Sequence, residues 1–392
     1  MLRRRVSGRQ VPYSYGRTFD GMRRVLAATV PLLLAVAPAQ GGPARVAPGI
    51  SSGNVEYVTT VPFEAGGATG AARVGKYLYV AGAKSFSIYD ISDPLDPQLM
   101  SITPIGFYFA NEDVDTNGKI LLIASDQGTQ DLQKLTVYDV EDKAAPVKIA
   151  DVQARDHNFE CVLGCRWAYG SRGTIVDLRN PRAPKRAGIW GVGMGPGDGF
   201  DTTEVAPGLV LAATRPLQLI DGRKDPARPT ILARGAAPDP RLLHSVGWPR
   251  RARDRFLLVQ GETFGETRCE SDSGAFMTWD TRGWTRTHTF KLVDEYRTDN
   301  GSYADGSPAA SAFGCTAMWF EEHPSFHDGG LVATAWFEHG TRFLDVDRRG
   351  AIREVGYFMP FGGATIAAYW VTDEIVYAVD IERGIDILRY ER

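Results

Sequence analysis

Seven copies of a short pattern run along this chain, most of them starting about 40–60 residues apart, and they constrain its fold more than any other feature. Each copy has two runs of β-branched, aromatic and other apolar residues, separated by turns rich in Gly, Asn or Pro. The copies begin at Gly75, Gly118, Cys165, Leu209, Arg255, Leu331 and Glu374. Alternation with a period of two residues between such turns predicts β-strands throughout.

An aspartate ends the second run in six of the copies: Asp90, Asp139, Asp177, Asp221, Asp280 and Asp345. A proline-containing corner follows three of them, at residues 94–97, 181–184 and 226–229. A carboxylate before such a corner can accept backbone N–H bonds and fix the turn. We therefore assign these aspartates a structural role.

These copies resemble the LVIVD repeat family of β-propellers. The resemblance rests on Phe-Ser-Ile-Tyr-Asp at 86–90, Val-Tyr-Asp at 137–139, Thr-Ile-Val-Asp at 174–177 and Leu-Ile-Asp at 219–221. It extends over about residues 70–390 and implies an all-β propeller in which each copy forms one blade. It also implies an exported or surface protein, and it implies no particular activity.

The ends of the chain indicate how the ring closes. The last copy supplies only two clear strands, whereas the strand-like segment at 54–63 precedes the first copy and has no blade of its own. We predict that this segment joins the last blade, because closure removes exposed strand edges. The sequence thus predicts a seven-bladed β-propeller as a single domain over residues 54–392.

The N-terminal residues have the three parts of a secretory signal. Met22-Arg-Arg is followed by an apolar run at 25–37 and by Ala37-Pro-Ala39. The run is shorter than the ~20 residues that span a bilayer, although an uncleaved anchor remains the alternative. We predict a basic leader and signal peptide at 1–39, a linker at 40–53, and a secreted or cell-surface protein without a membrane span in the mature chain.

Removal of that leader makes the chain more acidic. Residues 1–39 hold seven arginines and one aspartate, so the remaining chain has a formal net charge of −9, compared with −3 for the whole sequence. An acidic surface repels phosphate backbones, which argues against a nucleic-acid partner.

Four cysteines suggest two disulfides in an exported protein, with three possible pairings. We favour Cys161–Cys165 and Cys269–Cys315, because the first two are neighbours in one segment. A metal cluster is the alternative, but the Cys-x-x-x-Cys spacing has no second matching pair.

Polar residues recur ahead of the first strong strand in several copies, and the innermost strands of a propeller surround its central channel. The candidates for a ligand or metal site there are Glu112, His157, Asp201, His244 and, in the sixth copy, His323. Carboxylates and imidazoles that converge would suit a divalent metal ion or a small polar ligand. The alternative is a set of solvated channel residues, and Met318 in the sixth copy counts against the site.

A long insertion at 294–311 separates the fifth and sixth copies. Loops of this size on a rigid scaffold often bind partners, so Trp284, Tyr296 and Tyr303 are candidate contact residues. A loop without a binding role is the alternative.

No known catalytic motif occurs in the sequence: it contains no Gly-x-Ser-x-Gly elbow, His-Glu-x-x-His, Walker loop or dinucleotide fingerprint. We favour a monomeric, non-enzymatic surface or secreted binding module whose partner is a protein or glycan at the cell envelope. The alternative is a metal-dependent hydrolase or oxidoreductase with a site in the central channel, and a third possibility is a structural envelope protein.

Overall fold

The computed structural model describes residues 49–63, 67–105, 114–125, 133–191, 199–235, 242–262, 274–298 and 316–392. The predicted leader and signal peptide at 1–39 lie outside these residues. The described part contains two N-terminal strands, β1 (Gly49–Ser51) and β2 (Val55–Val61), followed by seven successive sets of strands that we number as blades 1–7.

The first four blades each consist of four antiparallel strands in chain order. Blade 1 comprises β3 (Ala68–Val74), β4 (Tyr77–Gly82), β5 (Ser85–Asp90) and β6 (Gln98–Pro104). Blade 2 comprises β7 (Val114–Thr116), β8 (Ile120–Ser125), β9 (Lys134–Asp139) and β10 (Val147–Gln153). Blade 3 comprises β11 (Phe159–Val162), β12 (Trp167–Gly170), β13 (Thr174–Asp177) and β14 (Lys185–Ile189). Blade 4 comprises β15 (Gly199–Ala206), β16 (Leu209–Thr214), β17 (Leu217–Asp221) and β18 (Thr230–Gly235).

The last three blades contain the two short helices and receive the N-terminal strands. Blade 5 comprises β19 (Leu242–Gly247), α1 (Pro249–Ala252), β20 (Phe256–Glu262), β21 (Ala275–Asp280), α2 (Trp284–Thr287) and β22 (Lys291–Tyr296). Blade 6 comprises β23 (Phe320–Glu322), β24 (Gly330–Ala335), β25 (Thr341–Val346) and β26 (Ile352–Pro360). Blade 7 comprises β27 (Thr365–Trp370), β28 (Ile375–Asp380) and β29 (Gly384–Tyr390).

The first strands of neighbouring blades contact one another from blade 1 to blade 5 and from blade 6 to blade 7, and β27 returns to β3. Blades 5 and 6 are joined by the Ser245 hydroxyl of β19, which donates to the Met318 carbonyl just before β23. The first strands therefore form the inner ring, with the fourth strands outside. The ring closes as predicted, because β2 pairs antiparallel with β29 from Val55 opposite Tyr390 to Val61 opposite Ile385. The prediction of an all-β, seven-bladed propeller closed by an N-terminal strand is confirmed.

A second N-terminal strand lies within the stretch predicted as a linker. Strand β1 pairs with the outer strand of blade 6, which thereby gains a fifth strand. A Cβ atom on Gly49 would lie 1.8 Å from the Met359 carbonyl oxygen, so only glycine fits there. The N-terminal segment is thus bonded to two adjacent blades.

Buried second and third strands build the core between blades. All six residues of β8 are buried, and Phe86 of blade 1 meets Tyr138 of blade 2 edge-on with ring centroids 5.0 Å apart. The turn aspartates act as predicted in five copies, where one carboxylate oxygen accepts the N–H two residues later. In blade 6 this role passes from Asp345 to Asp347, which accepts the N–H groups of Arg349 and Ala351.

Within the described ranges, no helix combines the length and the hydropathy that crossing a lipid bilayer requires.

Candidate functional site

One position recurs on the inner strand of every blade, and we call it the ring position. It is the residue that pairs with the third residue of the blade's second strand, counted from the residue opposite the turn aspartate. In blade 7 Arg389 stands in place of that aspartate, opposite Ile375. Its seven occupants are Ala72, Asp115, Glu160, Thr203, Gly247, Glu321 and Tyr369.

Most side chains at the ring position bond the backbone of the next blade. Carboxylates accept N–H groups there: Asp115 from Cys161, Glu160 from Glu204 at 2.6 Å, and Glu321 from Trp370 at 2.6 Å. Hydroxyls donate to carbonyls there: Thr203 to Val246 at 2.8 Å, and Tyr369 to Ala71 at 2.6 Å. These bonds satisfy buried polar groups and fix neighbouring inner strands to each other.

Gly247 breaks this pattern, because it has no side chain to place between blades 5 and 6. The two blades are joined nearby, where the Ser245 hydroxyl donates to the Met318 carbonyl at 2.7 Å. A cavity of about 330 Å³ lies here, bounded by residues of β15, β19, β23 and α1. A Cβ atom on Gly247 would be 3.5 Å from the Phe320 ring and 4.0 Å from a carboxylate oxygen of Glu322.

Three carboxylates line this cavity, from Asp201, Glu204 and Glu322. Asp201 is buried and accepts the Val246 N–H at 3.3 Å and the Thr203 hydroxyl at 3.1 Å, yet burial raises its pKa to about 7. Burial also raises the pKa values of Glu204 and Glu322. A cation entering the cavity would favour the ionised carboxylates and lower these pKa values again.

The remaining lining is aromatic and basic. Trp248, Trp319 and Phe320 supply ring surface, while the exposed Arg250 and Arg251 lie at the rim on α1. Carboxylates beside aromatic faces suit an organic cation, because ionic attraction and cation–π attraction act together. The volume is at the lower end for ligand pockets, which fits a small ligand or one inserted side chain.

The predicted channel residues fall into different surroundings. Glu112 lies outside the described residues, and Asp201 lines the cavity. His157 and His244 are both buried and lie on either side of Phe200, with ring centroids 5.3 and 5.6 Å from it. His244 also meets Trp319 at 5.1 Å, and its Nε2 is 3.8 Å from a carboxylate oxygen of Glu262.

The two predicted histidines and their neighbours therefore form a row of rings across blades 3–6. Among the residues that the structure describes, no group of three or more His, Cys, Asp or Glu side chains is arranged to hold a metal ion. With Glu112 outside this part, the ring of metal ligands stays a prediction.

His323 lies between blades 6 and 7. Its ring packs edge-on against Trp370 with centroids 4.7 Å apart, and its Nδ1 is 2.7 Å from the Ser325 hydroxyl. Its Nε2 is 3.2 Å from the carbonyl oxygen of Asp373. Both ring nitrogens of His323 therefore have partners within the fold.

The predicted loop contacts are also engaged within the fold. Trp284 of α2 packs against Trp248 and Phe290, with ring centroids 6.0 and 6.2 Å apart. Tyr296 donates its hydroxyl to the Glu354 carboxylate, and burial raises its pKa. Tyr303 lies outside the described residues.

The Cys161–Cys165 disulfide is present as predicted, across the turn between β11 and β12. Cys269 and Cys315 lie outside the described residues, so their pairing stays a prediction.

Comparison with known proteins agrees with the sequence pattern. Residues 65–103, which include blade 1, match the LVIVD repeat family. The chain carries an LVIVD repeat. No curated protein matches this LVIVD-repeat chain.

Several solved structures are similar to the LVIVD-repeat chain. The propeller domain of Cps50 (Swd1) from Myceliophteria thermophila is 13% identical, with 86% of this chain and 100% of that chain covered and a TM-score of 0.60. U3-55K is 8% identical, with 88% and 100% covered and a TM-score of 0.59. The WD40 repeats of RRP9 are 8% identical, with 89% and 100% covered and a TM-score of 0.58. At these identities the likeness concerns the fold alone.

Proposed function

We propose that this LVIVD-repeat propeller is an exported binding module that takes a basic side chain of a protein partner into the cavity beside Gly247. The observation that carries the proposal is the missing side chain at the ring position of blade 5. In five blades the ring-position side chain bonds the next blade, whereas in blade 5 Gly247 lies beside a cavity lined by Asp201, Glu204 and Glu322.

The charge of the inner ring supports a cationic ligand. Asp115, Glu160 and Glu321 add acidic side chains to the three of the cavity, although burial raises the pKa of each. Arg73, the one Lys or Arg on the described inner strands, is paired with Glu321 at 3.4 Å. Trp319 lines the cavity together with the carboxylates, and aromatic rings attract ammonium groups. The formal charge of −9 after leader removal favours approach of a basic partner.

Filling the cavity tests this proposal. We expect Gly247→Leu to occupy it, whereas Gly247→Ala adds one methyl group at ordinary contact distance and serves as the matched control. The probe is a blocked tripeptide, acetyl-Gly-Lys-Gly-amide, compared with the same peptide containing norleucine, in titration calorimetry at pH 8.

The lysine peptide should bind the wild type and the Gly247→Ala variant at least tenfold more tightly than the norleucine peptide. Gly247→Leu should abolish binding while its thermal unfolding shows a folded ring. Equal affinity for the two peptides, or no binding of either, would refute the proposal.

Export is tested separately by cell fractionation followed by N-terminal sequencing of the recovered protein. A mature N-terminus at Gln40 in the surface or medium fraction supports it, and recovery of the protein only from the cytoplasmic fraction contradicts it.

The alternative of a metal-dependent hydrolase or oxidoreductase stays a prediction. Elemental analysis of protein purified without chelator, beside a His157→Ala/His244→Ala variant, decides it. One metal ion per chain that is lost in the variant would favour that alternative over the binding module.

A further inference from the structure

The short helix α1 forms one side of the cavity beside Gly247 and has an unusual backbone. Arg250, Arg251 and Ala252 have φ values of +57°, +56° and +60°. Three successive L-residues rarely adopt this left-handed conformation, because Cβ then approaches the following carbonyl oxygen. Such backbone strain persists only where the surrounding structure enforces it.

Packing beneath the turn enforces it. The buried Trp248 donates its indole N–H to the carbonyl of Asp254 at 2.7 Å, and the Asp254 N–H donates to the Pro249 carbonyl at 3.3 Å. The buried Asp254 carboxylate also accepts the N–H groups of Phe256 at 3.1 Å and Asp328 at 2.7 Å. The turn is therefore tied to blades 5 and 6 at several points.

This turn holds two guanidinium groups at the cavity. Arg250 and Arg251 are exposed and line the same cavity as Asp201, Glu204 and Glu322. In the part of the chain that the structure describes, neither arginine has an ion pair or a side-chain hydrogen bond. The cavity lining thus combines acidic and basic side chains, and the charge of Arg250 also acts on the Asp254 carboxylate, where it opposes the rise in pKa that burial causes.

We infer that the cavity recognises a carboxyl-terminal basic residue, with its side-chain cation inside and its terminal carboxylate at the rim. This inference rests on the proposed function and adds the second half of the ligand. The inner carboxylates and Trp319 take the lysine or arginine side chain. Arg250 and Arg251 bind the terminal carboxylate, because a guanidinium presents parallel N–H groups that match both carboxylate oxygens.

The test uses two pairs of peptides on the full chain. Acetyl-Gly-Gly-Lys with a free carboxyl terminus is compared with its C-terminal amide, and both are repeated with norleucine in place of lysine. We expect the free acid to bind the wild type at least tenfold more tightly than the amide. Arg250→Gln/Arg251→Gln should remove that preference, so that the free acid and the amide bind the variant with equal affinity.

Arg253→Gln is the matched control, because Arg253 is an exposed arginine of the same segment and does not line the cavity. It should keep the tenfold preference. Equal binding of free acid and amide to the wild type would overturn this inference alone, whereas equal binding of lysine and norleucine peptides would overturn the proposed function.

Discussion

Asp201 allows a direct measurement of how a buried carboxylate changes the free energy of unfolding of this propeller with pH. Its side chain is buried between the inner strands of blades 4 and 5, where it accepts the Val246 N–H and the Thr203 hydroxyl. Burial raises its pKa to about 7 from an ordinary value of 3.8. Replacement by Asn keeps the shape and an acceptor oxygen for the Val246 N–H, and it removes the charge.

Whether the free energy of unfolding rises or falls with pH follows from the pKa difference of Asp201 between the folded and the unfolded chain. Below pH 3.8 the carboxyl is protonated in both the folded and the unfolded chain. Between pH 4 and 7 the unfolded chain releases the proton while the fold retains it, so the free energy of unfolding falls by about 1.4 kcal/mol per pH unit. The total contribution of Asp201 is about 4 kcal/mol, lost as the pH rises to about 7. Glu321 and Asp380, with pKa values raised to about 7 and about 6, act in the same direction.

The assay is urea unfolding of the wild type and Asp201→Asn at several pH values from 4 to 9. The unfolding free energy of the variant minus that of the wild type should rise by about 4 kcal/mol, with most of the rise between pH 4 and 7. Asp96→Asn is the control, because it removes an exposed carboxylate that has no side-chain hydrogen bond or ion pair within the described residues, and its difference from the wild type should stay flat. If the difference for Asp201→Asn does not change with pH, the Asp201 carboxyl does not have a raised pKa in the folded chain.

Three other perturbations have definite expected outcomes. Replacing Cys161 and Cys165 by Ser should lower the free energy of unfolding by about 2 kcal/mol, because the bridge closes a short loop, and an unchanged urea midpoint would contradict this. Deleting residues 49–61 should abolish a single cooperative thermal transition and cause aggregation in size-exclusion chromatography, since the edges of β29 and β26 are uncovered. A monomer with unchanged melting would show that the ring closes without them. Arg383→Met should lower the free energy of unfolding by about 3–5 kcal/mol, because it leaves the buried Asp386 without its paired cation. Adding Asp386→Asn should recover part of that loss. A larger loss in the double variant would contradict the pairing.

The sequence predicts the fold well because the evidence for it repeats. Each blade needs the same alternation, the same turn and the same aspartate, so weak signals at Asp90 and Asp221 reinforce one another across seven copies. The closing strand follows from counting strands, since the last copy has too few. Strand β1 could not be predicted, because its three residues, Gly49–Ser51, form too short a pattern to recognise.

The site is harder to predict from the sequence, because it depends on how the first and second strands of each blade pair, and the sequence does not show that register. The segment between the ring position and the start of the second strand differs in length from blade to blade. It is short after Asp115 and long after Gly247, where it contains α1. The strand patterns of the sequence therefore indicate His157 and His244 as channel residues and do not indicate Asp115, Glu160 and Gly247. An absent side chain gives no positive signal in a single sequence, and only the packing of blades 5 and 6 reveals the space it leaves.

The N-terminal strands also set the order in which the molecule can be completed. Strands β1 and β2 emerge first during synthesis, yet their partners β26 and β29 are among the last segments to be made. For most of that interval the early strands have nothing to pair with, and the growing chain is an open arc with two free edges. Only the final residues convert it into a ring, so a chain threaded through a membrane from its N-terminus would complete its fold on the far side.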